Sequence, residues 1–279
     1  MAIAWTVLKQ RLLTVAVILP LVLALLFLAP NPLWGLLTAV ALSLGAFEWA
    51  QLCGLRRAAR RGFVAVTAAT CAALLALMLL RRGSALESTV IQSLCLVALA
   101  FWAVAVPAWL YFRWKFASRL GLAAVGWLVL VPAWLAMTAL QRTPLVLFLT
   151  LGVVWVADTA AYFAGNRFGR HKLAPLISPS KTVEGLIGAF IAVAAYAAGV
   201  SWLFQRTAPP ADLMALISFA AVLTALSVNG DLFESWIKRQ AGAKDSGTLL
   251  PGHGGVLDRI DSLTAAMPFA ALFFSRMTL

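Results

Sequence analysis

Apolar residues run through this chain in nine long stretches separated by short polar segments. The stretches fall at about 12–29, 33–53, 63–80, 90–110, 121–140, 145–165, 183–204, 213–230 and 258–277. A helix of about 20 apolar residues matches the ~30 Å hydrocarbon core of a bilayer. Helices satisfy their own backbone hydrogen bonds in lipid, so the pattern predicts an all-α polytopic membrane protein with about nine transmembrane helices. The ~10-residue alternating strands of a membrane barrel are not seen. The first stretch follows Lys9 and Arg11 as a signal peptide would, but the spans behind it favour a retained first helix.

Charge supports this reading and orients it. With the N-terminus cytoplasmic, seventeen of the 22 lysines and arginines fall on the inner side, the bias expected of cytoplasmic loops. The composition is 63% hydrophobic and only 11% charged, against roughly 25% charged in soluble domains. The net charge of +12 is scattered in short clusters between apolar spans. No basic stripe runs along one amphipathic element, which argues against nucleic acid as a partner. Cys53, Cys71 and Cys95 lie in or beside apolar spans without CxxC spacing, and read as small buried hydrophobes.

The acids divide the chain. Residues 1–150 hold only Glu48 and Glu87, while the other eight acids follow. Of those eight, all but Asp212 lie in or at the cytoplasmic ends of the last four spans. Residues 1–140 therefore read as a transmembrane scaffold. Residues 141–279 read as the catalytic transmembrane region, with an active site on the cytoplasmic face. In the seventh span, Gly185, Gly188, Ala195 and Gly199 predict close helix packing.

The densest polar chemistry runs from Ser235 to Asp261. Asp231, Glu234, Ser235 and Lys238 share one helical face by their spacing, and Asp258 and Asp261 repeat the i, i+3 step at the start of the last span. Two acids on each of two helices can converge on a divalent cation, since Mg²⁺ takes a few carboxylates plus phosphate oxygens and water. The same residues can equally form a salt-bridge network with Lys238, Arg239 and Arg259. Gly252, Gly254 and Gly255 around His253 let backbone N–H groups approach an anion, or else form a plain turn. Asp158, within the sixth span, is a functional acid or the partner of a loop arginine such as Arg167. A second polar loop, HKLAPLISPSKTVEG, carries Ser180, Lys181 and Thr182, which suit phosphate. Its local alternative is an ion pair between Lys181 and Glu184.

At these residues the sequence resembles the phosphatidate cytidylyltransferases. The family's long signature is matched by Ser235, Ile237, Lys238, Arg239, Lys244, Asp245, Gly247, Pro251, His253, Gly254, Gly255, Val256, Asp258, Arg259, Ile260 and Asp261. Upstream, Gly230, Asp231, Leu232, Glu234 and Ser235 resemble its GDLxES entry. Asp158–Gly165 resembles its DTGAYxxG segment and Ser178–Gly185 its SPxKTxEG segment. Ala160 replaces a usual glycine and Val183 a common aromatic, and neither removes a ligand. The specific likeness covers about residues 145–279.

The resemblance implies that CTP and phosphatidate give CDP-diacylglycerol and diphosphate, with Mg²⁺ and with room for a second metal or a monovalent cation. It implies Asp231, Asp258 and Asp261 as metal ligands, with Lys244, Asp245 and Arg259 also catalytic. It implies Ser180, Lys181, Ser235, Lys238, Arg239, His253, Gly254 and Gly255 as substrate contacts. It further implies a multi-pass protein of the bacterial inner membrane and is compatible with a homodimer. A transporter would place its polar residues at the bilayer midplane, whereas these cluster at span ends. A polyprenol kinase would lack the full signature, and the DGxxAR motif of CDP-alcohol phosphotransferases is absent.

Overall fold

The computed structural model describes residues 16–115, 118–204, 212–249 and 254–275. Among these residues the chain forms nine helical rods and one small hairpin. The rods are α1 (Ala16–Leu28), α2 (Asn31–Leu52), α3 (Arg57–Leu80), a continuous rod Ala85–Phe112, α6 (Arg119–Leu140), α7 (Pro144–Phe168), α8 (Val183–Phe204), α9 (Leu213–Gln240) and α10 (Leu257–Ser275). Seven of them are long and apolar enough to cross a membrane. The expected all-α membrane bundle is borne out. Positions 12–15 and 276–277 of the expected first and last spans lie outside the described residues, as do Lys9, Arg11, Arg206, Arg276 and His253.

The rod Ala85–Phe112 is built from α4 (Ala85–Ala100), a π-turn (Phe101–Ala105) and α5 (Val106–Phe112). Pro107 explains the π-turn. Proline has no N–H to donate, and its ring collides with the carbonyl four residues back, so a wider turn relieves the clash. Outward-facing Leu80, Val104 and Trp202 are more than two-thirds exposed, as lipid-facing side chains should be.

Helices cross closely where a small residue admits a large one. Trp49 of α2 lies over Gly126 of α6, where any Cβ would overlap the indole, and its Nε1 donates to the Leu122 carbonyl at 2.8 Å. At the other end of the bundle, Gln141 Nε2 donates to the carbonyls of Leu26 and Ala29, and Asn31 Nδ2 to that of Thr138. These bonds clamp the α1–α2 turn onto the end of α6.

The structure changes several expectations. Helix α9 continues ten residues beyond 230, carrying Asp231 to Gln240 on one rigid rod. Helix α3 starts at Arg57 instead of 63. The loop between the sixth and seventh spans contains an antiparallel hairpin, β1 (Lys172–Ala174) and β2 (Ser178–Thr182), with Lys172 opposite Thr182. Gly185 and Gly188 do pack tightly, against the Ala161 carbonyl and the Ala164 side chain. Gly199 faces open space and Ala195 is exposed.

Because the rods alternate in direction, one end of the bundle gathers the C-terminal ends of α2, α5, α7 and α9. The N-terminal ends of α3, α6, α8 and α10 meet them there. The hairpin and the Gly-rich loop before α10 sit at this end, and it contains the site.

Candidate active site

A cavity of about 440 Å³ opens among α7, the hairpin, α8, α9 and the start of α10. Asp158 enters from α7, Ser180, Lys181 and Thr182 from β2, and Asp231 from α9. Asp258, Arg259 and Asp261 enter from the first turns of α10. Ala157, Ala161, Leu186 and Ala189 make one wall apolar.

The hairpin aims Lys181 inward. Its strand runs into α8, where the Thr182 hydroxyl accepts from the Gly185 N–H at 3.1 Å and caps the first turn. The Glu184 carboxylate accepts from the backbone N–H groups of Arg170 and His171 and pairs with His171 Nδ1 at 2.6 Å. Glu184 therefore closes the hairpin loop and does not pair with Lys181. Lys181 Nζ reaches 2.6 Å from Asp231 Oδ2 across the cavity, so the local pair with Glu184, the alternative to a phosphate contact, is not formed. Ser235 Oγ donates to the other Asp231 oxygen at 3.3 Å.

Asp258 is held on all sides. Lys238 Nζ lies 2.6 Å from its Oδ1. Its Oδ2 accepts from Ser246 N at 2.9 Å, Ser246 Oγ at 2.9 Å and Gly255 N at 2.8 Å. Gly254 permits this loop because its φ of +81° suits only glycine comfortably. Lys238 also forms an ion pair with Glu234 at 3.1 Å. Glu234 is buried, and neither of its oxygens finds a hydrogen bond of good geometry.

Glu48 was not foreseen as part of this site. It lies near the end of α2 and is 1% exposed. Its carboxylate accepts from Leu257 N at 2.8 Å, Val256 N at 3.1 Å and Ser246 Oγ at 3.0 Å. It thus caps the start of α10 from another helix, where a negative charge also meets the positive end of the helix dipole. A Cβ on Gly247 or Gly255 would overlap it. The Ser246 hydroxyl sits between Glu48 and Asp258 and has one proton to share between them. The available signal was an acid inside a predicted span, which is functional by default.

Of the residues expected at the site, Ser180, Lys181, Asp231, Asp258, Arg259 and Asp261 line the cavity together. Lys238, Ser235, Gly254 and Gly255 support it from behind. Lys244 and Asp245 are exposed and outside its lining. Arg239 turns away and donates to the carbonyls of Ile177 and Ala243. His253 is outside the described residues. Asp158 faces Asp231 and Lys181 and makes no ion pair with Arg167 among the described residues. Arg167 instead stacks over Phe168.

The lining carries four aspartates against one lysine and one arginine, and Lys238 pairs with Asp258 from behind, so carboxylates still outnumber the cations that meet them. A hard divalent cation fits that deficit. Among the described residues no three His, Cys, Asp or Glu side chains come together closely enough to hold a metal ion by themselves. An ion here would share its coordination between carboxylates and an incoming phosphate, the habit of Mg²⁺.

Fold and site together define a polytopic helical membrane protein with an acidic, lysine-bridged cavity at one end of its bundle. The chain belongs to the cytidylyltransferase family, whose profile matches residues 9–277. It is 42% identical over 281 residues to the phosphatidate cytidylyltransferase of Pseudomonas aeruginosa, covering 96% of this chain and 97% of that one. It is 36% identical over 287 residues to that of Haemophilus influenzae, covering 96% and 98%. A shorter match, 41% over 134 residues, joins it to the phosphatidate cytidylyltransferase of Thermotoga maritima, covering 45% of this chain and 47% of that one.

Proposed function

We propose that this protein is a phosphatidate cytidylyltransferase of the bacterial inner membrane, working at the cytoplasmic face with Mg²⁺. The observation that carries the reading is the cavity itself. Two carboxylate–lysine pairs, Asp231–Lys181 and Asp258–Lys238, meet Arg259 where membrane-spanning helices end.

In the reaction, a phosphatidate phosphate oxygen attacks the α-phosphorus of CTP. The bond from that phosphorus to the α,β-bridging oxygen breaks, and diphosphate leaves with the electron pair. Both reactants are anions, so Lys181 and Arg259 together with a bound divalent cation would supply most of the rate. Lys181 and Arg259 face the cavity and are placed to hold phosphate oxygens. Lys238 keeps Asp258 ionised and oriented. Asp231 and Asp258, with Asp261 beside them, would hold the Mg²⁺, which would neutralise phosphate charge. The glycine-rich loop presents the backbone N–H of Gly255 to Asp258 and fixes the start of α10. Lys244 and Asp245, exposed beside that loop, are assigned to the CTP on its way in. The apolar wall of α7 and α8 suits the glycerol end of a lipid, whose acyl chains remain in the bilayer.

Purified protein given phosphatidate, CTP and Mg²⁺ should release diphosphate and CDP-diacylglycerol in equal amounts. Folded protein that forms neither would overturn the proposal.

A further inference from the structure

A second concavity, of about 630 Å³, opens at the same end of the bundle and shares no lining residue with the cavity of the site. Lys115, Arg119 and Arg239 line it, one from the α5–α6 loop, one from the start of α6 and one from the last turn of α9. All three are exposed, while Leu122, Trp236, Ile237 and Cys53 form a buried apolar floor. No acid lines the pocket. No ion pair joins these three cations to a carboxylate among the described residues.

The pocket wall is fixed. The Trp114 carbonyl, next to Lys115, accepts from Trp109 Nε1 at 2.9 Å, Trp236 Nε1 at 3.1 Å and Gln240 Nε2 at 3.4 Å. Arg113 takes a left-handed φ of 53° to bring the loop round. The Ser118 hydroxyl caps Gly121 N at 3.1 Å and aligns the positive end of the α6 dipole with the same space. Three cations gathered without a counter-charge repel one another, and an anion relieves that repulsion. Guanidinium and ammonium groups together suit phosphate oxygens. An apolar floor at the level where helices leave the bilayer suits a lipid better than a soluble anion. Basic pockets between transmembrane helices take anionic headgroups in this way.

We propose that this pocket binds the phosphate headgroup of an anionic phospholipid from the surrounding bilayer, separate from any lipid in the catalytic cavity. The proposal does not depend on the transferase reading, because its test measures binding alone.

The test is native mass spectrometry of the purified full-length protein titrated with phosphatidylglycerol. Lys115→Gln/Arg119→Gln should bind roughly thirtyfold more weakly, at about a factor of five per cation near a membrane surface. The charge-matched control is Arg81→Gln/Arg82→Gln, at the opposite end of the bundle, which should bind as the parent does. If the double variant does not purify as a folded protein, Lys115→Gln and Arg119→Gln singly should each lose about fivefold. Equal loss in the control would overturn the proposal, as would equal retention of zwitterionic phosphatidylcholine. Displacement of the lipid by millimolar inorganic phosphate would overturn the lipid as occupant in favour of a soluble anion.

Discussion

Replacing Glu48 should damage catalysis although it touches no part of the cavity. Its carboxylate accepts three hydrogen bonds, from Ser246 Oγ, Val256 N and Leu257 N. Hydrogen bonds to a charged group contribute about 1.5–3 kcal/mol each, and a buried donor left unpaired costs about 1–3 kcal/mol. Glu48→Gln keeps the shape but offers an amide NH₂ where one oxygen accepted, so it should lose one or two of these bonds, about 3 kcal/mol in all. That loss falls on the loop that positions Asp258 and would lower kcat by about a hundredfold if fully expressed in the transition state. Diphosphate release gives kcat and KM, and hydrogen exchange reports on the amides of Ser246, Val256 and Leu257. The expected result is a fall in kcat with little change in KM for CTP, and faster exchange confined to that loop. Glu48→Ala should be worse than Glu48→Gln. Wild-type kcat in Glu48→Ala, or slower turnover with unchanged loop exchange, would refute the reasoning.

Other consequences follow from the same geometry. Asp231→Asn and Asp258→Asn should each lower turnover by at least about a hundredfold to a thousandfold while the protein still inserts, as loss of a fixed electrostatic group does; a radiolabelled CTP assay on purified variants checks this. Removing divalent cations with EDTA should abolish diphosphate release and adding back Mg²⁺ should restore it, since the carboxylates of the lining outnumber the cations that meet them. Gly230→Ala would put a methyl 2.5 Å from the Asp261 carbonyl and 3.2 Å from Ala265 Cβ; overpacking of this kind costs about 1–3 kcal/mol, visible as a lower unfolding temperature. At the far end, Glu87 is buried, accepts from Gly83 N at 2.7 Å and pairs with Arg142. Glu87→Gln weakens a hydrogen bond to a charged group and should lower stability by about 2 kcal/mol yet leave turnover of the folded enzyme unchanged, as measured below its unfolding temperature.

Much of the fold was legible because each span must satisfy its own backbone in lipid, which leaves a long apolar run as its trace. The cavity residues were legible for a related reason: acids at span ends are too costly to place without use. Partners were harder to read. Glu48 and Ser246 are 198 positions apart, and no local spacing joins them. The Lys181–Glu184 spacing leaves a local ion pair open as the alternative to a phosphate contact. The chain there is a hairpin, and strand β2 turns Lys181 toward Asp231 instead. Arg239 follows Lys238 in sequence, yet one step around a helix is about 100°, enough to put it in a different pocket. The N-terminal half reads as scaffold from sequence, and through Glu48 it also holds the loop before α10 in place.

Transfer of the cytidylyl group of CTP onto a lipid phosphate in the Asp231–Asp258 cavity is tested most directly with position-labelled CTP. With α-³²P CTP and phosphatidate, the label should move into the lipid phase. With γ-³²P CTP it should appear only in diphosphate, and Asp231→Asn should do neither. Transfer of the γ-label to lipid would make the protein a kinase, and full α-transfer by Asp231→Asn would place the chemistry elsewhere.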